Sequence, residues 1–305
     1  MRSVNERVTT RPKRIPRGVR YRHVSTDSAE TFDIGETTVN RLGFGAMRLC
    51  GEEIIGPPDD EETAREVVRR AVDRGVDFID TADSYGPGVS ERLIGQAIGD
   101  PDDVVVATKA GLLRNSDEEW LARGDPDYVR NQVLASRDRL RTETIDLYQF
   151  HRPDPDTPFE DSVGAFAQLK DEGLVRQVGL SNVTVDELET AREHVDVATV
   201  QNRYNVSDRS SRDVLEVCAD NDIGFVPWCP IDADDLAAHG DLLDEIATAH
   251  DATRRQVALA WLLERSDVIL PIPGTSNPAH LESNLEARAV SLSDEEVGRL
   301  TEAGV

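Results

Sequence analysis

The chain has 305 residues, 59 acidic against 34 basic, and a formal net charge of −25. A body that anionic repels nucleic acid and anionic lipid, and no run of about 18 apolar residues offers a membrane span. Cys50, Cys218 and Cys229 are scattered without a CxxC pair, and the six histidines show no ligand spacing. That argues against a disulfide framework or a metal site and suits a reducing cytosol, so the protein is expected to be cytoplasmic.

The first 23 residues hold eight basic residues and one acidic one, +7, so the rest carries −32. Residues 1–25 are expected to be a basic, disordered leader with no apolar region of a secretory signal. Residues 26–305 show no shift in composition and are expected to form a single domain. They open with "ETFDIGETTVNRL", a short hairpin of two strands around Gly35.

Short apolar runs then alternate with longer amphipathic ones. The predicted strands are 42–49 (LGFGAMRL), 76–81 (VDFIDT), 104–109 (VVVATK) and 145–151 (IDLYQFH), followed by 175–181 (VRQVGLS), 197–202 (VATVQN), 223–228 (IGFVPW) and 268–273 (VILPIP). Helical spacing of apolar residues, acidic starts and terminal glycines mark intervening helices such as 60–75, 126–141, 159–173 and 211–222. Two more are expected, one in 278–289 and one near 293–302. Eight strand–helix units at about 30-residue spacing predict an α/β fold, a (β/α)8 TIM barrel with a short N-terminal β-hairpin.

Three adjacent strands break their apolar pattern at the C-terminal end. "VDFIDTADSYG" ends on Asp80 and turns on Tyr85, "VVVATK" ends on Lys109, and "IDLYQFH" ends on His151. A single such residue is more often a helix cap or a loop contact. Three in a row, at the end of a barrel where chemistry sits, point to a site. Lys109 is one of only three lysines, with Lys13 and Lys170, in a chain that has otherwise used arginine. Further polar ends follow in Ser181-Asn182 and Gln201-Asn202, and Trp228 ends the seventh strand. Tyr, Lys, His and Asp around one rim make a proton donor for a carbonyl. A tyrosine's pKa is near 10, and bringing it near 7 requires about 4 kcal/mol. An ammonium about 4 Å away at an effective dielectric near 20 supplies on that order. No side chain here gives a hydride, which a nicotinamide cofactor can.

These motifs resemble the aldo-keto reductases, and the resemblance runs from about residue 31 to the C-terminus. It implies Asp80, Tyr85, Lys109 and His151 as the catalytic set, with Asp80 pairing Lys109, Lys109 lowering the tyrosine pKa and His151 orienting the carbonyl. "VGLSNV" is similar to the segment whose Ser181 and Asn182 hold the nicotinamide carboxamide. Gln201 in "VQNRYN" would do the same, and Trp228 in "VPWCPI" would stack on the ring. "IPGTSNPAHLESNL" resembles the segment around the adenosine, bringing Gly274, Thr275, Ser276, His280 and Asn284 to the cofactor. Gly45, Met47, Asp80 and Pro230 complete the cofactor surroundings that the resemblance implies. Where many members carry a lysine and an arginine for the 2′-phosphate, this chain has Gly274 and His280. NADPH is the expected cofactor, with NADH possible. The implied activity is reduction of an aldehyde or ketone by an NADPH-dependent carbonyl reductase or alcohol dehydrogenase. Its partner would be a small-molecule carbonyl compound, with monomer as the default state. The likeness is greatest to bacterial members that include pyridoxal reductases, which makes pyridoxal a candidate substrate. A Schiff-base barrel enzyme using Lys109 as nucleophile and a non-catalytic NADP-binding subunit are the alternatives.

Scarce lysine and abundant Asp, Glu and Arg resemble proteins of salt-loving microbes. Molar salt shortens the reach of carboxylate repulsion to about 3 Å. The melting temperature and kcat/KM for NADPH should therefore both rise between about 0.1 M and 2 M KCl. A protein most stable and most active in dilute buffer would deny the acidic surface this role.

Overall fold

The computed structural model describes residues 31–99, 101, 103–232 and 240–303; the expected leader, residues 1–25, lies outside them. The N-terminal hairpin forms as read, β1 (Thr31–Ile34) against β2 (Thr37–Asn40), antiparallel. Its two-residue turn puts Gly35 at φ +64°, a left-handed backbone that costs glycine nothing.

Seven strands then make one sheet whose pairs are all parallel: β3 (Phe44–Gly45), β4 (Phe78–Asp80), β5 (Val105–Ala110), β8 (Ile145–Phe150), β9 (Val175–Ser181), β10 (Val197–Gln201) and β11 (Gly224–Phe225). They neighbour one another in chain order, as strand–helix–strand crossovers require. The predicted eighth strand, 268–273, forms no ladder of its own. Pro271 and Pro273 carry no amide hydrogen, so only single bridges are possible there. It nevertheless bonds both edges. Phe225 N donates to Val268 O (2.7 Å) and Leu270 N to Phe225 O (2.8 Å) on one side. Gly43 N donates to Pro271 O (2.9 Å) and Gly45 N to Pro273 O (3.4 Å) on the other.

The first predicted strand also shrinks. After Gly45 the chain turns into a 3-10 segment, Met47–Leu49. Gly45 bridges Gly274, and a Cβ on Gly45 would lie 2.6 Å from Ile272 O, so the two segments meet with bare backbone. Between β5 and β8 a second hairpin, β6 (Leu112–Arg114) and β7 (Trp120–Ala122), was not anticipated. Its turn-rich acidic sequence reads as a loop.

Alternation along the strands separates the two faces of the sheet. Ile79, Val106, Tyr148, Phe150, Val178 and Leu180 join the helices in the main core. Phe78, Val105, Ala107, Leu147, Val226, Leu270 and Ile272 form an interior cluster, on which Ile34 and Val39 of the N-terminal hairpin pack. The interior is thus apolar toward the strand starts, and its next layer toward the strand ends is Asp80, Lys109, Gln149, Ser181 and Gln201, all buried.

Gly45→Ala would press a methyl onto the Ile272 carbonyl where the last segment meets the first strand. Overpacking of this kind costs about 1–3 kcal/mol, so the thermal midpoint should fall; an unchanged midpoint would mean that the junction relaxes freely.

Candidate active site

Asp80 is the hub. Its Oδ1 accepts from Lys109 Nζ at 2.6 Å, and its Oδ2 accepts from Gln149 Nε2 (3.0 Å) and Gln201 Nε2 (2.8 Å). Lys109 is 0 % exposed and Asp80 2 %, so the pair is dry. Lys109 Nζ also donates to Thr81 O (2.8 Å) and lies 5.2 Å from the centre of the Tyr85 ring. Burial lowers the Lys109 pKa from its ordinary value, and the Asp80 carboxylate opposes that.

Tyr85 follows from the turn after β4. Gly86 and Gly88 both hold positive φ, and Gly88 N donates to Asp83 O (2.7 Å), folding the turn back on itself. Thr81 Oγ1 donates to Ser90 Oγ (2.7 Å), which donates to Ala46 O (3.1 Å), tying the turn to the end of β3. Tyr85 is 7 % exposed and meets the His151 ring edge to face at 5.9 Å. Burial pushes its phenol well above the ordinary value, and Asp80, Cys50 and Asp83 push the same way. Lys109, which the resemblance implies as the group that opposes this, lies 5.2 Å from the ring centre. Tyr85 therefore stands as a neutral acid. His151 is held well below its usual pKa by burial, with Lys109 and Arg152 adding to it, so its imidazole is neutral. Its Nδ1 lies 3.5 Å from Ser84 Oγ.

The residues assigned to the cofactor fall into two groups. Trp228 Nε1 donates to Asn182 Oδ1 (3.0 Å), and Asn182 Nδ2 donates to His151 O (3.0 Å) and Ser181 Oγ (2.9 Å). Ser181 Oγ donates to Gln201 O (2.8 Å), and Gln201 reaches Asp80. A continuous chain thus joins the half-exposed Trp228 to the Asp80–Lys109 pair. Asn182 sits at φ +57°, a conformation asparagine tolerates better than most residues, and Pro230 is buried two residues past Trp228.

The second group lies across the sheet junction. Gly45 pairs with Asp80 in register and bridges Gly274, and Met47 begins the adjacent 3-10 segment. Thr275 Oγ1 accepts from Asn277 N (3.0 Å), and Asn277 Oδ1 caps the helix Pro278–Leu285 at Ala279 N (2.8 Å). That first turn holds no acidic residue, so its free amides face no competing carboxylate. Gly274, Ser276 and His280 are exposed there, while Asn284 is buried beneath.

Sequence reasoning missed Gln149. It lies two residues before His151 on β8, and period-2 alternation along that strand would have pointed it inward. A buried cluster behind the site was also missed. Glu91 accepts from Thr108 Oγ1 (2.6 Å) and Arg139 Nη1 (2.8 Å), and Asp83 accepts from Tyr128 Oη (3.0 Å). Burial, then Glu91, raise the Asp83 pKa well above the usual carboxylate value. Among the described residues no cluster of His, Cys, Asp or Glu is arranged to hold a metal, and no helix is long and apolar enough to cross a membrane.

Residues 41–304 match the Aldo/keto reductase family. The chain is 43% identical over 281 residues to an uncharacterized oxidoreductase of Schizosaccharomyces pombe, covering 92% of each chain. It is 38% identical over 280 residues to pyridoxine 4-dehydrogenase of Escherichia coli, covering 90% of this chain and 98% of that one. Among solved structures, the glycerol dehydrogenase of Gluconobacter oxydans superposes with a TM-score of 0.81 at 26% identity, covering 90% of this chain and 95% of the other. An aldo/keto reductase of Klebsiella pneumoniae in complex with NADP and acetate superposes at 0.74 and 26% identity, covering 90% and 94%. The Asp80–Lys109 pair beside Tyr85 and His151 thus sits in a chain that belongs to the aldo/keto reductase family.

Proposed function

We propose that this chain reduces an aldehyde or ketone to the alcohol with NADPH, on a (β/α)8 barrel in which 268–273 serves as the eighth strand. One observation carries the reading: a proton donor, Tyr85, stands between a buried Lys–Asp pair and a neutral histidine, at the end of a hydrogen-bonded chain leading to an aromatic plate.

The residues present fit a nicotinamide dinucleotide. Asn182 and Gln201 offer amides and Ser181 a hydroxyl for a carboxamide. Trp228 offers a ring face, and the exposed Ser276, with the first-turn amides that Asn277 leaves uncapped, suits phosphate. Asn284 lies beneath that segment. Two Klebsiella pneumoniae relatives whose structures hold NADP or NADPH support NADPH for this chain. The bound nicotinamide supplies the hydride.

The chain's own residues handle the proton. A carbonyl oxygen placed near Tyr85 and His151 would gain negative charge as the carbonyl is reduced. Tyr85 then passes it the phenolic proton, and the alcohol forms. The acceptor is an oxygen on its way to an alkoxide, a stronger base than a phenolate in ordinary surroundings, which favours the transfer. The phenolate left behind faces Lys109, whose ammonium Asp80 and Thr81 O hold in place. His151, neutral, can donate or accept at the carbonyl without adding charge. The same geometry disfavours a Schiff base at Lys109, because the amine is fully buried and two of its hydrogens are committed. Pyridoxine 4-dehydrogenase among the relatives makes pyridoxal the first substrate to assay.

Tyr85→Phe should lower kcat by roughly 10²–10⁴-fold while NADPH titrations stay nearly unchanged. A variant keeping more than about a hundredth of the wild-type rate would remove the tyrosine from its role.

His151 gives a stability test. Its folded pKa lies below the ordinary 6.5, so the neutral form is favoured by folding. The contribution is complete above pH 6.5 and is lost as pH falls through the folded value. The difference in unfolding free energy between wild type and His151→Gln should therefore shrink between pH 7.5 and 5. A constant difference would mean that the imidazole protonates as easily inside as outside.

A further inference from the structure

The hairpin β6–β7 rises from the end of the strand that carries Lys109, and it brings two side chains over Tyr85. Register pairs Arg114 with Trp120. The Arg114 guanidinium lies 3.9 Å from the Trp120 ring centre, and Trp120 meets the Tyr85 ring edge to face at 6.4 Å. Trp120 is 39 % exposed, one of three large hydrophobic side chains that are exposed among the described residues. Proton donor, aromatic plate and cation therefore follow one another along one wall.

Among the described residues the cation has no counter-ion. Arg114 Nη2 donates to Glu118 O (2.9 Å), while Nε and Nη1 are buried and meet no protein acceptor. Three carboxylates sit within five residues, Asp117, Glu118 and Glu119, yet among the described residues none pairs with Arg114; Glu119 accepts from Asn115 Nδ2 instead (2.8 Å). Elsewhere the same chain closes bidentate pairs, Arg130 on Glu172 and Arg299 on Glu245. Arg152, exposed next to His151, has no ion pair among the described residues either. Other arginines among the described residues also have no ion pair, but Arg114 differs in having two buried nitrogens that meet no acceptor, and it sits on the aromatic neighbour of the proton donor.

Resting on the reductase reading above, we infer that the substrate is an acidic carbonyl compound. Its apolar body lies on Trp120, and its carboxylate or phosphate is taken by Arg114. Stacking on Trp120 holds the guanidinium plane, so the fork can meet a planar anion with little loss of freedom. Two contacts, 6.4 and 3.9 Å long, separate Tyr85 from the cation. That span suits a small aromatic or short-chain acid whose carbonyl sits at Tyr85 and His151.

The test compares 4-formylbenzoate with benzaldehyde, with NADPH, at one fixed salt concentration. Wild type should prefer the acid in kcat/KM by about tenfold or more, as a charge-assisted bond commonly supplies. Arg114→Gln should bring the ratio of the two substrates toward one, and Arg114→Lys, which keeps the charge without the fork, should fall between. Should the glutamine variant not fold, the lysine variant carries the comparison. A wild-type ratio near or below one, or a ratio that the variants leave unchanged, overturns the inference while leaving carbonyl reduction standing. If neither aldehyde is reduced, the reductase reading fails separately. Calorimetric titration of terephthalate then decides the site: binding lost in Arg114→Gln supports it, and no binding to wild type overturns it.

Discussion

An ammonium and a carboxylate buried side by side constrain everything around them. Taking Lys109 and Asp80 out of water costs several kcal/mol per ion unless the remaining valences are met. The structure meets them from four directions. Asp80 on β4 takes hydrogen bonds from Lys109 on β5, Gln149 on β8 and Gln201 on β10, and Lys109 has Thr81 O besides. Four strands must hold their register for this to work, since a slip of one residue turns a side chain to the other face. The charged pair thus specifies the sheet at the level where chemistry would occur.

Below that level the constraint is the reverse. The interior cluster of Phe78, Val105, Leu147, Val226, Leu270 and Ile272 excludes water, and Ile34 and Val39 of the N-terminal hairpin pack against it. An apolar layer beneath and a polar layer above arise from one rule, inward positions two residues apart, applied along every strand: Phe78 to Asp80, Ala107 to Lys109, Leu147 to Gln149. The dryness that raises the Tyr85 pKa and lowers that of His151 comes from this arrangement.

Much of this was legible in the sequence because the pattern repeats. A polar residue at the end of an apolar run, three times in succession, located Asp80, Lys109 and His151, and the hairpin around Gly35 read correctly. What failed did so for physical reasons. The segment 268–273 looks like a strand by composition, but two prolines leave it only single bridges. Glycines at 43 and 45 let the first strand meet that segment so closely that its ladder shortens to Phe44–Gly45. Gln149 hid inside a run read as apolar. The β6–β7 hairpin hid in a polar stretch, where the contact of Arg114 with Trp120 depends on cross-strand register and not on spacing.

Why the site keeps a lysine in a chain that has otherwise chosen arginine follows from its donors. An ammonium has three hydrogens in a compact head. Asp80 Oδ1 and Thr81 O take two of them, and the head sits 5.2 Å from the Tyr85 ring centre, leaving one hydrogen for that side. A guanidinium has five hydrogens in a planar fork, and at a fully buried position the surplus would go unmet. On the surface the preference inverts. There Arg65 and Arg69 each join two of Glu61, Glu62 and Glu66 along the helix Glu61–Asp73, and Arg92 reaches Glu61 from the next helix; a fork that holds two carboxylates at once offsets their mutual repulsion. The same acidic excess that favours arginine outside thus leaves the buried lysine as the residue whose size and donor count the interior can satisfy.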